Sequence, residues 1–305
     1  MSERDPVAAI DCGTNSIRLL ITDGREDWAR EMTIVRLGEG VDRTGRLEPA
    51  AIERTRVALI RYAEYIASFG AMPVRMVATS ATRDAENRAD FVGMVRRVLG
   101  IDPEVVSGDE EARLSYAGAT ADLELMYPAL VADIGGGSTE LVLGDRPGRD
   151  GVRAALSVDI GCVRLTERRL HSDPPLQAEI AATGEDIEAA LDRAREVVPL
   201  AEAASCVGLA GSVTTVVAHA LGLTAYDAVR IHGARVPRAD VLAACSDLLR
   251  RSHIERAALP FMHPGRVDVI GGGALVVAAV LEASGCDELI ASEHDILDGI
   301  AASLL

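Results

Sequence analysis

The chain has 305 residues with 31 basic and 47 acidic side chains, which gives a formal net charge of −16. All the basic residues are Arg, and the absence of Lys excludes a Walker A phosphate loop, a Lys Schiff base and a Ser–Lys dyad. The acidic balance, with only 3 Phe, 1 Trp and 5 Tyr, argues against a general nucleic-acid-binding protein, which needs a basic face and stacking side chains.

Length and cysteine usage predict a cytoplasmic protein of two domains. A chain of this length exceeds the size at which single hydrophobic cores stop growing. No apolar run approaches the roughly 20 residues of a membrane span, and the first six residues carry no signal-peptide pattern. The five cysteines are scattered and form no C-x-x-C pair, as expected for thiols in a reducing compartment.

Hydrophobic periodicity predicts an α/β protein. A β-hairpin opens the chain at Val7, and a 49–68 helix follows, with Pro at its first turn and Gly70 just past its end. Strands alternating with helices favour helices packed on mixed sheets. Further helices are predicted at 89–99, from about 110, at 184–204, from 213, and at 238–251, 274–283 and 295–304. Short strands are predicted at 75–79, 104–106, 206–209 and 267–270, with Gly271–Gly273 as a turn.

The hairpin occurs twice. D-C-G-T-N-S begins at Asp11, and D-I-G-G-G-S-T-E begins at Asp133, so both turns read D-x-G-x-x-S at an offset of 122 residues (133 minus 11). This offset is too long for a solenoid period and predicts two related domains, each opening with the same hairpin.

Three turns rich in Gly, Ser and Thr are candidate phosphate sites. Consecutive N–H groups in such a turn form a concave anion site, Gly permits close approach of a ligand, and hydroxyl groups add donors. A phosphate bound in this way needs no Lys. The candidate residues are Gly13, Thr14, Asn15 and Ser16 in the first turn, Gly136, Gly137, Ser138 and Thr139 in the second, and Gly211 and Ser212 in the third, which spans 210–214.

Acidic residues beside these turns are candidate metal ligands. Asp133 and Glu140 lie on opposite arms of the second hairpin and can face one another. Hard oxygen ligands at a phosphate site favour Mg²⁺, with Mn²⁺ as an alternative. Asp11, at the head of the first turn, is a third candidate. The alternative is that Asp133 only caps its turn and that Glu140 is a solvated strand residue.

The two hairpins, the turn G-L-A-G-S-V-T-T and the segment S-G-D-E-E-A-R-L together resemble the exopolyphosphatase and guanosine pentaphosphate phosphohydrolase family. The similarity runs from Val7 to the final D-I-L-D-G-I-A, and the chain looks like the short form of the family. The resemblance implies the actin-like, sugar-kinase-like ATPase superfamily, with duplicated ribonuclease-H-like domains and an interdomain active-site cleft. The expected domains are 1–110 and 111–294, with a C-terminal helix at 295–305 that packs back on the first.

The resemblance also implies roles for individual residues. The family's catalytic glutamate falls on Glu111, which resembles the general base that activates water, and Asp133 and Glu140 look like the metal-coordinating pair. The segment A-T-S-A-T-R places a phosphate-facing arginine at Arg83, and Arg18 is a weaker candidate. From the residues alone, Glu111 could instead favour the helix dipole, and Arg83 could be a surface charge.

We therefore expect a Mg²⁺-dependent exopolyphosphatase that releases terminal phosphate, preferably from short chains because the channel has no Lys and no extra domains. Hydrolysis of the 5′-phosphate of guanosine pentaphosphate is the nearest alternative. A kinase of the same superfamily and a nucleotide-responsive scaffold are further alternatives. Homodimers are common among such enzymes, so a homodimer is a candidate assembly for this chain. No nucleic-acid partner and no membrane partner is expected. Cys12, beside the first turn, could make activity sensitive to oxidants.

Overall fold

A computed structural model of the protein describes residues 5–305, and the described chain divides into two compact units. The first contains residues up to 118 together with 296–305, and the second contains 119–295. The division falls after Gly118 instead of at 110/111, because the helix that carries Glu111, Gly108–Ala119, belongs to the first unit except for its last residue. Residues 1–4, on which part of the signal-peptide prediction rests, lie outside the described residues.

The first unit is a five-stranded mixed sheet with helices on both faces. The strand order is β3-β2-β1-β4-β5, in which β1, β2 and β3 are antiparallel and β4 and β5 run parallel to β1. The elements, in chain order, are β1 Val7–Cys12, β2 Ser16–Thr22, β3 Asp27–Ile34, α1 Val41–Thr44, α2 Pro49–Ser68, β4 Val74–Ala78, α3 Ser80–Asp84, α4 Arg88–Leu99, β5 Glu104–Val105 and α5 Gly108–Ala119.

Strand β1 shows why this sheet is covered on both sides. Its side chains alternate with period two: Ala8 and Ile10 join the core that includes α2 and α4, whereas Val7 and Ala9 join a second core. That second core contains Leu114 of α5 and the C-terminal helix, whose residues follow the second unit along the chain. The strand is therefore buried along its whole length, as sheets covered on both faces require.

The second unit is built around a six-stranded sheet. Its elements are β6 Ala129–Ile134, β7 Thr139–Gly144, β8 Val152–Val158, α6 Cys162–Arg169, α7 Gln177–Arg195, β9 Ser205–Leu209, α8 Ala210–Ala220, α9 Ala228–Ile231, β10 Arg235–Pro237, α10 Arg238–Arg250, α11 His253–Ala257, α12 Ile270–Ser284 and β11 Glu288–Ala291. Short 3₁₀ turns lie at Arg149–Gly151, Leu200–Glu202 and Pro264–Arg266. The chain then returns to the first unit as α13, Ile296–Ala302, which packs on β1 and β2.

The two sheets share one plan. Read from the antiparallel edge, the second sheet runs β8-β7-β6-β9-β11-β10, so its first five positions repeat the order and directions of the first sheet. The predicted α/β architecture with two related domains is confirmed. Among residues 5–305, no helix combines the length and the apolar character needed to cross a membrane.

Three predictions for the second unit differ from the structure: the bounds of one helix, one strand and one turn. Helix α7 begins at Gln177 and not at 184, because the Glu179 carboxylate accepts a hydrogen bond from the Leu176 N–H (2.9 Å) and caps the helix after Pro174 and Pro175. It ends at Arg195, ahead of Pro199, which cannot continue a helix. The predicted 267–270 strand and the 271–273 turn are absent, since all three glycines lie inside α12.

The glycines of α12 are required by packing. A Cβ on Gly272 would lie 2.8 Å from the Cys162 carbonyl oxygen, and one on Gly273 would lie 2.2 Å from Ser212 Oγ. Helix α12 thus approaches α6 and α8 closely only because these positions have no side chain. Glycine-rich sequence is typical of turns, but here it permits helix contact.

Replacing Gly273 with Ala is expected to destabilise the protein by about 1–3 kcal/mol, because the added methyl group overpacks the contact with Ser212. Gly184→Ala is the matched control, since it also lies inside a helix but has no heavy atom within 4 Å of the added Cβ. The control is expected to raise stability by roughly 0.5–1 kcal/mol. Thermal and urea unfolding measure both variants, and equal effects would contradict the packing argument.

Candidate active site

The two hairpin turns have the same backbone geometry. The Gly13 N–H donates to the Ser16 carbonyl (2.9 Å), and at the equivalent place the Gly135 N–H donates to the Ser138 carbonyl (3.0 Å). Asp11 pairs with Arg18 across the first hairpin, and Asp133 pairs with Glu140 across the second. Position 18 is therefore the equivalent of position 140, again at the offset of 122.

The turn carbonyls are held on one side by a neighbouring segment. In the first unit, the N–H groups of Val35 and Arg36 donate to the Asn15 carbonyl (3.0 and 2.9 Å), and the Gly38 N–H donates to that of Thr14 (2.9 Å). In a trans peptide the N–H points away from the C=O, so the N–H groups of these turns face the opposite side. Within residues 5–305, no group accepts a hydrogen bond from the N–H of Thr14, Asn15, Gly136 or Gly137. This arrangement can bind an anion.

Several predicted hydroxyl ligands have structural partners. Thr14 Oγ1 lies 2.9 Å from Ser80 Oγ, and the Thr139 hydroxyl donates to the Ile160 carbonyl. Both threonines are buried, as is Ser138. The capacity of the two turns to bind phosphate therefore lies mainly in their backbone N–H groups.

The paired positions across the hairpins differ in charge. In the first unit the Arg18 guanidinium binds the Asp11 carboxylate through two nitrogens, at 2.6 and 3.1 Å. In the second unit the pair consists of two buried acids, Asp133 and Glu140, and the Ser157 hydroxyl donates to Glu140 Oε1 (2.7 Å). An arginine thus neutralises the first acid, while the second hairpin presents the hard oxygen donors that suit a divalent cation.

Glu111 and Arg83 meet within the first unit. Glu111 lies in the first turn of α5 and is only 6% exposed. The Arg83 guanidinium donates from Nη1 to Glu111 Oε2 (2.8 Å) and to the Val106 carbonyl (3.2 Å). Arg83 lies on α3, whose first residue, Ser80, contacts Thr14. Helix α3 therefore links the first turn to the glutamate, and Arg83 orients that carboxylate.

The third predicted turn is the start of a helix. Helix α8 begins at Ala210, which has φ +68°, and so Gly211 and Ser212 lie in its first turn. A Cβ on Gly211 would lie 2.4 Å from Nε of Arg266, so the glycine allows this guanidinium to pack against the helix start. A Cβ on Gly273 of α12 would lie 2.2 Å from Ser212 Oγ, at the start of α8, and 3.4 Å from Cys162 Cβ, at the start of α6. Helix α12 thus packs against the starts of both helices.

Sequence reasoning missed Arg266. It lies in a 3₁₀ turn that follows His263, immediately before the 267–270 segment for which a strand was predicted. In the part of the chain that the structure describes, no carboxylate forms an ion pair with it. Its guanidinium carbon lies 5.9 Å from the Tyr226 ring centre, and Nη1 is 3.4 Å from Thr215 Oγ1. Only the local P-G-R pattern could have marked it as a turn residue, and nothing in the sequence links it to Gly211.

Two histidines and an aspartate form a cluster that is linked to the third turn through Tyr226, whose hydroxyl contacts both Thr214 and Glu293. Asp122 Oδ2 is 3.2 Å from Nε2 of His232 and 3.2 Å from Nδ1 of His294. The Glu293 N–H donates to Nδ1 of His232 (3.2 Å), so the neutral ring carries its proton on Nε2, where it can donate to Asp122. A metal would have to displace this proton, and the cluster is therefore better described as a hydrogen-bonded one.

The cysteines are buried thiols apart from Cys286, which is partly buried. Burial, followed by the charge of Asp11, raises the pKa of Cys12 well above its usual range, and burial raises the pKa of Cys206 and of Cys245 to about 12. Because the thiolate is the reactive form, Cys12 should be inert at neutral pH.

We therefore expect iodoacetamide at pH 8 to label at most Cys286 in the native protein and all five thiols after denaturation, as measured by intact mass. Hydrogen peroxide should leave activity unchanged, contrary to the hypothesis from the sequence. Inactivation by peroxide that disappears in Cys12→Ser would show that Cys12 is reactive after all.

Comparison with known proteins finds relatives that match nearly the whole chain. The Ppx/GppA phosphatase family matches residues 21–305. Exopolyphosphatase 2 of Mycobacterium tuberculosis is 52% identical over 98% of both chains. A guanosine-5′-triphosphate,3′-diphosphate pyrophosphatase of Photobacterium profundum is 33% identical, over 69% of this chain and 44% of that protein.

Solved structures that resemble this chain belong to related proteins. The crystal structure of an exopolyphosphatase-like protein is 43% identical, with a TM-score of 0.94 over 99% of this chain and 100% of the other. The Aquifex aeolicus member of the Ppx/GppA family is 32% identical, with a TM-score of 0.81 over 98% and 96% of the two chains. The resemblance identified from the motifs is confirmed, and with it the prediction of a phosphatase: the chain belongs to the Ppx/GppA phosphatase family.

Proposed function

We propose that this protein is a Mg²⁺-dependent exopolyphosphatase that hydrolyses the terminal phosphoanhydride bond of inorganic polyphosphate. The observation that carries the proposal is the second hairpin, where a glycine turn with outward N–H groups adjoins two buried, opposed carboxylates. The 52% identity with Exopolyphosphatase 2 over nearly the whole of both chains supports polyphosphate as the substrate class.

Glu111 is the proposed general base. Its carboxylate accepts a proton from the attacking water, and the hydrogen bond from Arg83 fixes the direction in which the oxygens point. A guanidinium has five N–H donors, so Arg83 can hold Glu111 and still bind a phosphate oxygen. Glu111 and Arg83 are the two catalytic residues of this proposal.

The two hairpin turns and the start of α8 are the proposed phosphate-binding elements. The backbone N–H groups of residues 14–16 and 136–139 bind phosphate oxygens, and Gly211, Ser212 and Arg266 supply the helix N-terminus and a cation. The Gly13 N–H is not one of these donors, because it already donates to the Ser16 carbonyl within the turn. Fixed donors of this kind stabilise developing charge without reorganising, and they contribute most of the rate in phosphoryl transfer.

Asp133 and Glu140 are the proposed ligands of the metal ion. The donor set fits Mg²⁺, which uses one or two carboxylates and retains several waters, and it would also accept Mn²⁺. When bound, the ion would neutralise charge on the phosphate oxygens. Asp11 is proposed as a further, weaker ligand, since Arg18 already binds its carboxylate.

Hydrolysis of guanosine pentaphosphate is the second candidate. It uses the same chemistry and the same residues, and the 33% identity with the P. profundum pyrophosphatase supports it. The two substrates differ only beyond the first phosphates. The net charge of −16 and the absence of Lys favour short polyphosphate over long chains, because an acidic exterior slows the approach of a polyanion.

The deciding experiment measures orthophosphate release from short polyphosphate, long polyphosphate, guanosine pentaphosphate and ATP, each with Mg²⁺, with Mn²⁺ and with a chelator. We expect the highest kcat/KM with short polyphosphate and Mg²⁺. Release without any acceptor would eliminate the kinase and scaffold alternatives. A higher kcat/KM with guanosine pentaphosphate would replace the proposed substrate, and no release from any of them would overturn the proposal.

The proposal includes a cytoplasmic location and a homodimeric assembly. We place the enzyme in the cytoplasm, because all five cysteines are free thiols. A homodimer is tested by light scattering, which would give twice the chain mass of 32.2 kDa.

A further inference from the structure

The carbonyl groups of the second glycine turn are all held from one side by the start of α6. The N–H of Cys162 donates to the Gly135 carbonyl (2.9 Å), and the N–H of Val163 donates to that of Gly136 (2.9 Å). The last carbonyl of the turn, that of Gly137, accepts a hydrogen bond from Nε of the Arg164 side chain (2.7 Å).

In the first turn, main-chain N–H groups hold the carbonyl groups. Its equivalent carbonyl, that of Asn15, accepts hydrogen bonds from two backbone N–H groups, those of Val35 and Arg36. The second unit thus places a guanidinium where the first unit uses main chain. This difference makes the orientation of the Gly137 peptide depend on one side chain.

The held peptide determines where the next N–H points. The Gly137 carbonyl and the Ser138 N–H belong to one trans peptide plane, so fixing the first aims the second in the opposite direction. Gly136 and Gly137 have no Cβ to restrict their rotation, so an external bond must supply the restriction. The Arg164 side chain supplies that bond from α6, where it is packed and only 13% exposed.

We propose that Arg164 is a positioning residue, which holds the Gly137 peptide so that the Ser138 N–H is aimed at a phosphate oxygen of the substrate. The proposal deepens the function proposed above and rests on it. It assigns to Arg164 no contact with the substrate and no proton transfer.

The test compares Arg164→Met, which keeps the apolar stem, with Arg164→Lys, which keeps one donor, and with Arg168→Met as a control on the exposed side of the same helix. Backbone ¹⁵N relaxation, without substrate, reports on the turn itself. We expect the order parameter of Ser138 to fall from about 0.85 towards 0.6 in Arg164→Met, and to stay unchanged in Arg168→Met.

Kinetics then test the consequence. In Arg164→Met, kcat for phosphate release should fall by about 10- to 100-fold with a smaller change in KM, because a donor is misdirected instead of removed. Arg164→Lys should recover part of kcat, and the melting temperature should stay within a few degrees of that of the wild type.

Each result either supports or overturns a stated role of Arg164. An unchanged order parameter overturns the holding role, and a mobile turn with normal kcat overturns the positioning role. Loss of kcat that tracks loss of melting temperature in both Arg164 variants would indicate a merely structural residue. If the wild-type enzyme releases no phosphate, the proposed function fails, whereas the relaxation result still reports on Arg164.

Discussion

Replacing Glu111 with Gln is expected to lower kcat for phosphate release by about 10²- to 10⁴-fold, the usual contribution of a general base. The amide has the shape of the carboxylate and its oxygen can still accept the hydrogen bond from Arg83, so the fold should be unchanged. An amide cannot take the proton of the attacking water. Binding of short polyphosphate, measured by calorimetry, should therefore remain close to that of the wild type.

Glu110→Gln is the matched control for this prediction. Glu110 is the neighbouring acid on α5, and its carboxylate faces Arg75 at 3.7 Å. Neutralising it changes the net charge of the chain by the same amount as Glu111→Gln does. We expect its kcat to stay within a few-fold of wild type. Hydrolysis by Glu111→Gln at more than a tenth of the wild-type rate would remove Glu111 from the role of base.

The second large effect is expected at Asp133 and Glu140. Asp133→Asn and Glu140→Gln should each raise the Mg²⁺ concentration needed for half-maximal activity by at least about tenfold, and the double variant should lose the dependence on metal together with the activity. The reason is that an amide oxygen is a neutral and weaker ligand for a hard divalent cation than a carboxylate oxygen. Mn²⁺ binding, followed by electron paramagnetic resonance, gives the affinity without any need for turnover.

Two controls separate metal binding from the local structure. Ser157→Ala removes the hydroxyl that donates to Glu140 Oε1 but leaves both carboxylates, so it should alter Mn²⁺ affinity only slightly. Asp145→Asn removes an exposed carboxylate that lies just past β7 and pairs with Arg153. It should change neither the Mg²⁺ concentration for half-maximal activity nor the Mn²⁺ affinity. Full Mn²⁺ affinity in the double variant would show that the ion binds elsewhere.

The two hairpins have similar sequences but different residues across their strands. For this reason the sequence predicted where the turns lie but not which charges face each other. The repeat of D-x-G-x-x-S located both turns, because a tight turn close to a ligand restricts which residues can occupy it. The sequence also allowed Asp11 and Asp133 to be treated as similar candidate ligands. Only the cross-strand register shows that Asp11 faces Arg18 and that Asp133 faces a second acid.

The wrong prediction at Gly271–Gly273 has its physical cause in helix packing. Gly271–Gly273 were predicted as a turn because glycine favours turns in a local reading. Their actual role depends on α6 and α8, whose residues are distant in sequence and whose close approach leaves no room for a Cβ. Helix-to-helix distance is a property of packing, so no local pattern could have supplied it.

What the sequence by itself determined are the features encoded in short-range patterns: two related α/β units, the hairpin turns, and a set of candidate acids and arginines. The tertiary structure decided which of them meet. It brought Arg83 to Glu111, Arg266 to Gly211 and Arg164 to the Gly137 carbonyl, across separations of 28, 55 and 27 residues. A charged side chain with several rotatable bonds carries no local signal of its partner, because the partner is chosen by the packing of the elements that carry it.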